Sequence, residues 1–213
     1  KINIVNPTAI NVVFLLSKLQ KYSHSKILSM TWDRVADSFS KGEVAMANIW
    51  SGRSGYFENN PNSLAHKNSV YRAKPGGIEG YEASSIGGFS LGIPSNVNKN
   101  KIKIIFSVIK YLVSPPMIKH YIENGVSASP LFSVSNDPEV QVASPSLVAI
   151  DDMQKKGHIK NWLRVPIPAY SDVANIIGNK LHKELSKSYS DINKKKSLKI
   201  VEEIQSSIDE LVN

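Results

Sequence analysis

Residues 31–53 read TWDRVADSFSKGEVAMANIWSGR, and this stretch shows most clearly how the chain is built. Thr31 is a suitable N-cap for a helix that places Trp32 and Phe39 on one apolar face, which is expected to be buried. The apolar run at 44–49 then predicts a buried strand. A helix that leads into a buried strand is typical of an α/β protein.

Helical periodicity recurs on both sides of this stretch. Apolar residues spaced three and four apart predict helices at 7–22, 99–113, 117–123, 138–156 with a break near Pro145, 172–185 and 197–212. Short strands are predicted at 70–73 and 85–93, since Pro75 and Pro94 close the two runs. Helices or long loops, rather than hairpin turns, separate the strands. The pattern therefore predicts an α/β fold with a largely helical C-terminal part.

Composition restricts the class of protein. The 213 residues are 41% hydrophobic and 21% charged, which is ordinary for a globular chain and leaves room for one large domain or two small ones. No apolar run approaches the roughly 18 residues that a membrane-spanning helix needs. The chain contains no cysteine, so it has no thiol nucleophile and no cysteine-ligated zinc. Lack of cysteine also suits an oxidising compartment.

A search for catalytic motifs is negative. The five histidines form no HExxH pattern, and the chain has no P-loop, no GxSxG elbow and no GxGxxG loop. Asp151 and Asp152 are adjacent, so a helix would point them about 100° apart. We therefore expect no metal, no cofactor and no enzymatic activity. A carbohydrate-active enzyme would need two converging carboxylates, and the sequence offers no such pair.

The basic charge suggests an alternative function. Lysine and arginine number 26 against 18 acidic residues, and a net charge of +8 would suit nucleic acid or an anionic surface. The dense run is Lys194, Lys195 and Lys196, which precedes a predicted helix and is not interleaved with aromatic residues. We expect no nucleic-acid partner, and a basic interaction or nucleic-acid-binding module stays as the alternative reading.

Aromatic and planar polar residues cluster in two loops. The first cluster is Trp50, Ser51, Arg53 and Tyr56, and the second is Trp162, Arg164 and Tyr170. Aromatic rings stack on the apolar faces of sugars, while arginine and serine hydrogen-bond to hydroxyl groups. These residue types therefore indicate a carbohydrate ligand.

Several motifs in order give the chain a resemblance to a known family. Residues 39–46 resemble the "F-x-x-G-x-x-A-M" strand entry of family 1 extracellular solute-binding proteins, the sugar-capture subunits of ABC importers. Residues 74–76, 87–93 and 98–113 resemble its "P-G/P-x-x-G" crossover, its "G-G-x-x-x-x-I" strand and its "K-x-x-A-x-x-F-x-x-Y-L" helix. Residues 121–130 and 164–170 resemble its "Y-x-x-x-G-x-x-P" and "R-P-x-x-P-x-Y" elements. No single motif is specific, but six in order make chance a poor explanation.

The resemblance implies a two-lobed α/β fold of the periplasmic-binding-protein type (type II, maltodextrin-binding-like), in which the lobes close on a ligand by hinge motion. It covers roughly the C-terminal half of such proteins. It assigns residues 1–84 and 128–213 to a helix-rich second lobe and residues 85–127 to a segment that crosses into the first lobe. Because the chain starts at Lys1, without Met or a leader, it is expected to be processed or a fragment.

The resemblance also implies a site and partners. Trp50 and Tyr170 would stack on sugar faces, Arg53 and Arg164 would bond hydroxyl groups, and Gly87 and Gly88 would let backbone N–H groups approach the ligand. The further candidate contacts are Ser51, Tyr56 and Phe89. The implied partners are a sugar or related small solute and the membrane permease subunits of an ABC importer. The implied location is periplasmic or extracellular, with a lipid anchor as an option.

A crossing segment without its first lobe would expose apolar surface. The residues concerned are Ile86, Phe89, Leu91, Ile102, Phe106 and Ile109. Exposed apolar patches of this kind promote association. The sequence therefore predicts that the segment pairs with another copy of the chain or is rearranged.

Overall fold

The computed structural model describes residues 2–76, 82–85, 87–88, 90–126, 128–160 and 166–212, with residue 132 described by its backbone alone. The chain divides into two compact units. The terminal unit combines Lys1–Met30 with Leu163–Asn213, and the central unit is Thr31–Trp162.

The terminal unit is helical. Its helices are α1 (Pro7–Gln20), α9 (Tyr170–Ser188) and α10 (Lys194–Val212), with short 3₁₀ turns at Ile27–Ser29 and Tyr189–Asp191. Asn6 caps α1, since its Oδ1 accepts the backbone N–H of Ala9 at 2.9 Å. Apolar residues of α10 at helical spacing meet α1 and α9, and the core consists of Val13, Val173, Ile192, Ile200, Val201, Ile204 and Ile208.

A glutamine side chain connects the two ends of the terminal unit. Gln205 Oε1 accepts the backbone N–H of Ile4 at 2.8 Å. Its Nε2 donates to the carbonyl oxygen of Ile2 at 2.9 Å. The amide side chain therefore replaces the pairing that a neighbouring strand would give to this extended backbone.

The central unit contains short elements around two apolar clusters. Its elements are α2 (Trp32–Ser40), a 3₁₀ turn (Ser51–Arg53), α3 (Gly55–Glu58), β1 (Ser84–Ser85), α4 (Lys99–Leu112), α5 (Pro115–Glu123), α6 (Phe132–Ser135), α7 (Pro138–Ala143), α8 (Pro145–Lys155) and β2 (Ile159–Lys160). One core joins α5, α6, α7 and α8 through Ile118, Ile122, Val134, Val140 and Leu147. An aromatic row of Phe39, Phe57 and Tyr71 fills the other.

The sheet of the described residues is small. Strand β1 pairs in parallel with β2, with Ser84 opposite Ile159 and Ser85 opposite Lys160. The backbone N–H of Ser84 donates to the carbonyl oxygen of His158 at 2.8 Å.

The predicted helices are confirmed, including the break near Pro145, where α7 ends at Ala143 and α8 begins. The predicted strands are mostly wrong. Residues 44–49 and 70–73 form no strand, and among the described residues of the stretch 85–93 the first, Ser85, is the one that belongs to a strand, β1. A strand needs a hydrogen-bonded neighbour, and none of the described residues pairs with 44–49. This segment is also not buried, since Met46 is exposed.

The predicted lobe boundaries remain a prediction, and they do not coincide with the boundaries of the two units, which fall after Met30 and Trp162. The expected exposure of the crossing segment is confirmed for Leu91, Ile102 and Phe106, whereas Ile109 is half-buried. Ile86 and Phe89 lie outside the described residues. Helix α4, the main part of that segment, has no buried residue.

No helix in the described part of the chain combines the length and the apolar character needed to cross a bilayer.

Candidate sugar-binding site

The loop that carries the first aromatic cluster is held by local hydrogen bonds. Trp50 has an extended backbone and precedes the 3₁₀ turn at Ser51–Arg53. The N–H of Arg53 donates to the carbonyl oxygen of Trp50 at 2.9 Å, and the N–H of Ser54 donates to that of Ser51 at 3.0 Å. Helix α3 follows at once and carries Tyr56 on its exposed side. The loop is thus a fixed turn between residue 49 and α3.

The ring of Trp50 contacts that of Trp32, which the sequence predicts to be buried. Its ring centroid lies 5.4 Å from that of Trp32, and the two ring planes meet at 73°. Trp32 is 66% exposed and Trp50 is 38% exposed. The expected burial of Trp32 is therefore wrong. Trp32 is the first residue of α2 and lies at the open N-terminal end of the helix, whereas Ala36, one turn later, is buried.

Arg53 also contacts the start of α2. Its Nε lies 3.0 Å from Asp33 Oδ1, so the two side chains form an ion pair. The Nε–H group of Arg53 does not point at this oxygen in the geometry of a hydrogen bond. Both side chains are partly exposed. Because an arginine has five N–H donors, the guanidinium keeps donors for a ligand while Asp33 balances its charge.

The glycines at 87 and 88 lie on the same unit. A Cβ added to Gly87 would lie 3.7 Å from Trp50 Nε1, which is an ordinary contact, so this backbone runs beside the indole. A Cβ at Gly88 would meet nothing within 4 Å. The structure therefore places the Gly87 backbone next to Trp50. Phe89 lies outside the described residues.

Of the second predicted cluster, Tyr170 is the member that the structure describes, and it belongs to the terminal unit. Tyr170 is the first residue of α9 and is half-buried. Arg164 and Trp162 lie outside the described residues. Their part in a site therefore stays a prediction.

A group of polar side chains that sequence reasoning missed joins α3 to the start of α8. We call Ser54, Glu58, Ser144 and Ser146 the Glu58 cluster. Glu58 Oε2 accepts from the hydroxyl groups of Ser54 at 3.0 Å and Ser144 at 3.2 Å. Glu58 Oε1 accepts the backbone N–H of Ser146 at 2.8 Å, in the first turn of α8. A carboxylate is stable at this position because the first N–H groups of a helix lack partners within it.

The sequence contains half of the signal for this cluster. Ser144, Pro145 and Ser146 form a typical helix start, and the break there was predicted. Nothing in the sequence indicates that the acceptor is Glu58, which is 88 positions from Ser146.

Tyr71 closes the other side of the cluster. Its ring stacks on Phe57, with centroids 6.4 Å apart and planes at 17°. Burial, and then the nearby Glu58 carboxylate, raise the pKa of the Tyr71 hydroxyl far above its ordinary value. The tyrosine is therefore neutral wherever the protein is folded in ordinary buffers.

A close backbone approach fixes the start of α3. A Cβ added to Gly55 would lie 1.9 Å from the carbonyl oxygen of Gly125, the second residue after α5, which has a φ of +97°. Only glycine fits this approach. Helix α3, and with it the loop that carries Trp50 and Arg53, is thus anchored to α5 and α8.

Several lysines elsewhere form ion pairs. Lys41, Lys119, Lys155, Lys156, Lys180 and Lys187 each form an ion pair with a carboxylate. Asp151 and Asp152 bridge separately to Lys155, the last residue of α8, and to Lys156, which follows it, at 2.6 and 2.7 Å. The two aspartates thus pair with different lysines, as expected of adjacent side chains that point apart on a helix. Within the described ranges no three His, Cys, Asp or Glu side chains come together as a metal site would require.

Comparison with known proteins identifies the fold. No family model and no curated protein matches the sequence. Among solved structures, the chain is similar to T. maritima MalE3 with maltose bound, at a TM-score of 0.80 and 20% sequence identity. The similarity covers 97% of this chain and 52% of MalE3, so the chain spans about half the length of that protein. The chain therefore has an α/β fold of the periplasmic-binding-protein type, in its maltodextrin-binding-like form.

Proposed function

We propose that the chain is part of a non-catalytic solute receptor that captures a sugar for an ABC importer. The observation that carries the proposal is the exposed Trp50 beside the charge-balanced Arg53, on a fold shared with a protein solved with maltose. An aromatic face and hydrogen-bonding donors are the chemistry that a polyhydroxylated ring needs. The ordered motifs of family 1 extracellular solute-binding proteins support the same reading.

Each predicted contact has a role in this proposal. In the central unit, Trp50 stacks on a sugar face and Arg53 donates hydrogen bonds to hydroxyl groups. Ser51 and Tyr56 contribute further hydroxyl contacts, and the backbone at Gly87 and Gly88 approaches the ligand closely. The roles of Phe89, Arg164 and Tyr170 stay predictions from the family resemblance.

The proposal includes a place for this chain in a larger architecture. The chain corresponds to the C-terminal half of the receptor, with 1–84 and 128–213 in the second lobe and 85–127 crossing into the first. Such a receptor works outside the cytoplasm, in the periplasm or anchored by lipid, and delivers its ligand to membrane permease subunits. The exposed apolar residues of α4 give an isolated chain a surface for self-association.

No observation favours the alternative function, a basic interaction or nucleic-acid-binding module, as strongly as it favours a sugar receptor. The net charge of +8 is spread over many positions, and six lysines are held by carboxylates. Lys194, Lys195 and Lys196 form the first turn of α10, where they are ordinary surface residues.

The test is a titration of the full-length gene product with a panel of neutral monosaccharides and oligosaccharides. Trp50→Ala should weaken the best sugar by about 1–3 kcal/mol, because a central aromatic anchor is lost. Tyr22→Ala is the matched control, since Tyr22 is an exposed aromatic of the terminal unit and should leave affinity unchanged. Equal affinity in wild type and Trp50→Ala would remove Trp50 from the site, and no binding of any sugar would overturn the function.

A further inference from the structure

One serine connects the 3₁₀ turn of the candidate site to α3. Ser54 follows the turn Ser51–Arg53 and precedes the helix. Its backbone N–H donates to the carbonyl oxygen of Ser51 at 3.0 Å, which closes the turn. Its own carbonyl oxygen accepts the N–H groups of Phe57 at 3.1 Å and Glu58 at 2.9 Å, which begins the helix. The position of Ser54 therefore sets the path of the chain on both sides.

The side chain of Ser54 is buried, and its hydroxyl group has two partners. The hydroxyl donates to Glu58 Oε2 at 3.0 Å. Its oxygen lies 2.8 Å from the hydroxyl oxygen of Ser146, which is buried in the first turn of α8. Because a serine hydroxyl has one proton and that of Ser54 is directed at Glu58, Ser146 is the donor in this second contact.

Glu58 connects this serine to a helix that is packed in a core. Its Oε2 faces Ser54, whereas its Oε1 accepts the backbone N–H of Ser146 at 2.8 Å. The next residue of α8, Leu147, is buried in the core that joins α5, α6, α7 and α8. Hydrogen bonds to an ionised acceptor are among the stronger ones in proteins. The carboxylate thus holds the turn of the candidate site against the fixed start of α8.

Ser144 gives a comparison within the same cluster. Its hydroxyl group donates to the same Oε2 atom at 3.2 Å, and its side chain is also buried. Ser144 lies between α7 and α8, and its described backbone hydrogen bonds join it to Val140 and Leu147. The two serines therefore make the same kind of bond to Glu58, but Ser54 is the one that belongs to the candidate site.

We propose that Glu58 is a positioning residue of the ligand site, which holds Ser54, and with it the turn that contains Arg53, in the conformation that receives the ligand. The inference rests on the proposed sugar-binding function. Glu58 does not touch the ligand and acts before the ligand arrives. When this contact is lost, the turn samples other conformations, and the apparent affinity falls with the fraction of molecules whose turn is ready for the ligand.

The test is a calorimetric titration of the full-length gene product with the best sugar of the panel, at a temperature at which thermal unfolding shows every variant to be folded. Ser54→Ala and Glu58→Ala should each weaken binding by at least about tenfold. Ser144→Ala is the matched control, since it removes a similar bond to Glu58 and should stay within about twofold of wild type. Because Glu58 acts through Ser54, adding Ser54→Ala to Glu58→Ala should cost no further affinity.

Hydrogen exchange of the ligand-free protein gives a measurement that does not depend on the sugar. The backbone N–H groups of Arg53 and Ser54 close the turn. They should exchange at least about tenfold faster in Glu58→Ala than in wild type, whereas Ser144→Ala should stay within about twofold. A general loss of stability would raise exchange in α8 to the same extent, and a positioning role would raise it in the turn alone.

The outcomes separate the inference from the function beneath it. If wild type binds a sugar and Ser54→Ala and Glu58→Ala bind it equally well, the positioning role is refuted and the sugar-binding function stands. An equal loss of affinity in Ser144→Ala also refutes it, because the cluster would then act on the fold as a whole. If wild type binds no sugar, the function fails, and exchange in the turn decides whether Glu58 holds it. If Glu58→Ala does not fold, Ser54→Ala decides alone.

Discussion

Helices α3 and α4 of the central unit show an inverse relation between length and burial. Helix α3 has four residues, yet its Phe57 is 1% exposed and its ends are held by Gly125 and by the Glu58 cluster. Helix α4 has fourteen residues and none of them is buried, with Phe106 at 55% exposure. The comparison shows that helical periodicity predicts an apolar face on a helix but does not predict which other element packs against that face. The contacts that fix α3 come from residues far away in the sequence.

The largest expected effect comes from the same substitution in the two helices. Phe57→Ala should lower the free energy of unfolding by about 3–5 kcal/mol, because the ring is packed between Phe39 and Tyr71 and its loss leaves a cavity. Phe106→Ala in α4 should change it by no more than about 0.5 kcal/mol. Urea unfolding of both variants measures the contrast. A large loss in Phe106→Ala would mean that α4 is covered in solution.

The second prediction tests the backbone contact of α3. Gly55→Ala should destabilise the protein by about 1–3 kcal/mol or more, because the new Cβ would collide with the carbonyl oxygen of Gly125. Gly92→Ala is the control, since a Cβ there would meet nothing within 4 Å. Sugar affinity should fall together with stability in Gly55→Ala, because the loop that contains Trp50 and Arg53 leads directly into α3. Equal stability of the two variants would contradict the close approach.

The third prediction concerns alkaline pH. The pKa of Tyr71 is raised in the folded state by burial and by Glu58, so the folded protein keeps this proton after the unfolded chain has lost it. Its contribution to stability is therefore full below the unfolded pKa, about 10, and declines as pH rises above that value. Urea unfolding between about pH 8 and 11 should give a steeper decline for wild type than for Tyr71→Phe. Tyr22→Phe, at an exposed tyrosine, should keep the wild-type slope, and a slope unchanged in Tyr71→Phe would count against the burial of this hydroxyl.

The smallest expected effect on stability comes from placing a charge on the exposed face of α4. Phe106→Lys should leave the free energy of unfolding within about 0.5 kcal/mol and reduce self-association of the isolated chain. Light scattering over a concentration series measures the mass. A wild-type chain that stays monomeric throughout would refute the proposed self-association.

The longer helices of this protein were predictable, since a helix satisfies its backbone locally and only its apolar face depends on neighbours. The four-residue helices α3 and α6 were not predicted, because they are too short to show a period. The strands were not, because a strand exists only with a partner, and residues 44–49 have none among the described residues. In the candidate site, Trp50 and Arg53 could be proposed from residue type and loop position. Trp32 was misplaced, since periodicity put it on the buried face and could not show that this end of α2 is open.

The Glu58 cluster marks the other limit of sequence reasoning. Serines are common near helix starts, and a glutamate at the end of a short helix attracts no attention by itself. Their meeting depends on the tertiary approach of α3 to α8, over 88 positions of the chain. Such a contact gives no periodic signal, so the part of the site that sets its position was the part least visible in the sequence.

The construction of the terminal unit from both ends of the chain imposes an order on synthesis at the ribosome. Helix α1 precedes the central unit in the chain, but the surface it packs on includes α10, and Gln205 accepts a hydrogen bond from Ile4 across 201 positions. The residues of the central unit are all translated before α10. The nascent chain must therefore carry the apolar face around Val13 without its α10 partner until the central unit and α9 have been translated, and apolar surface exposed in this way is prone to aggregation.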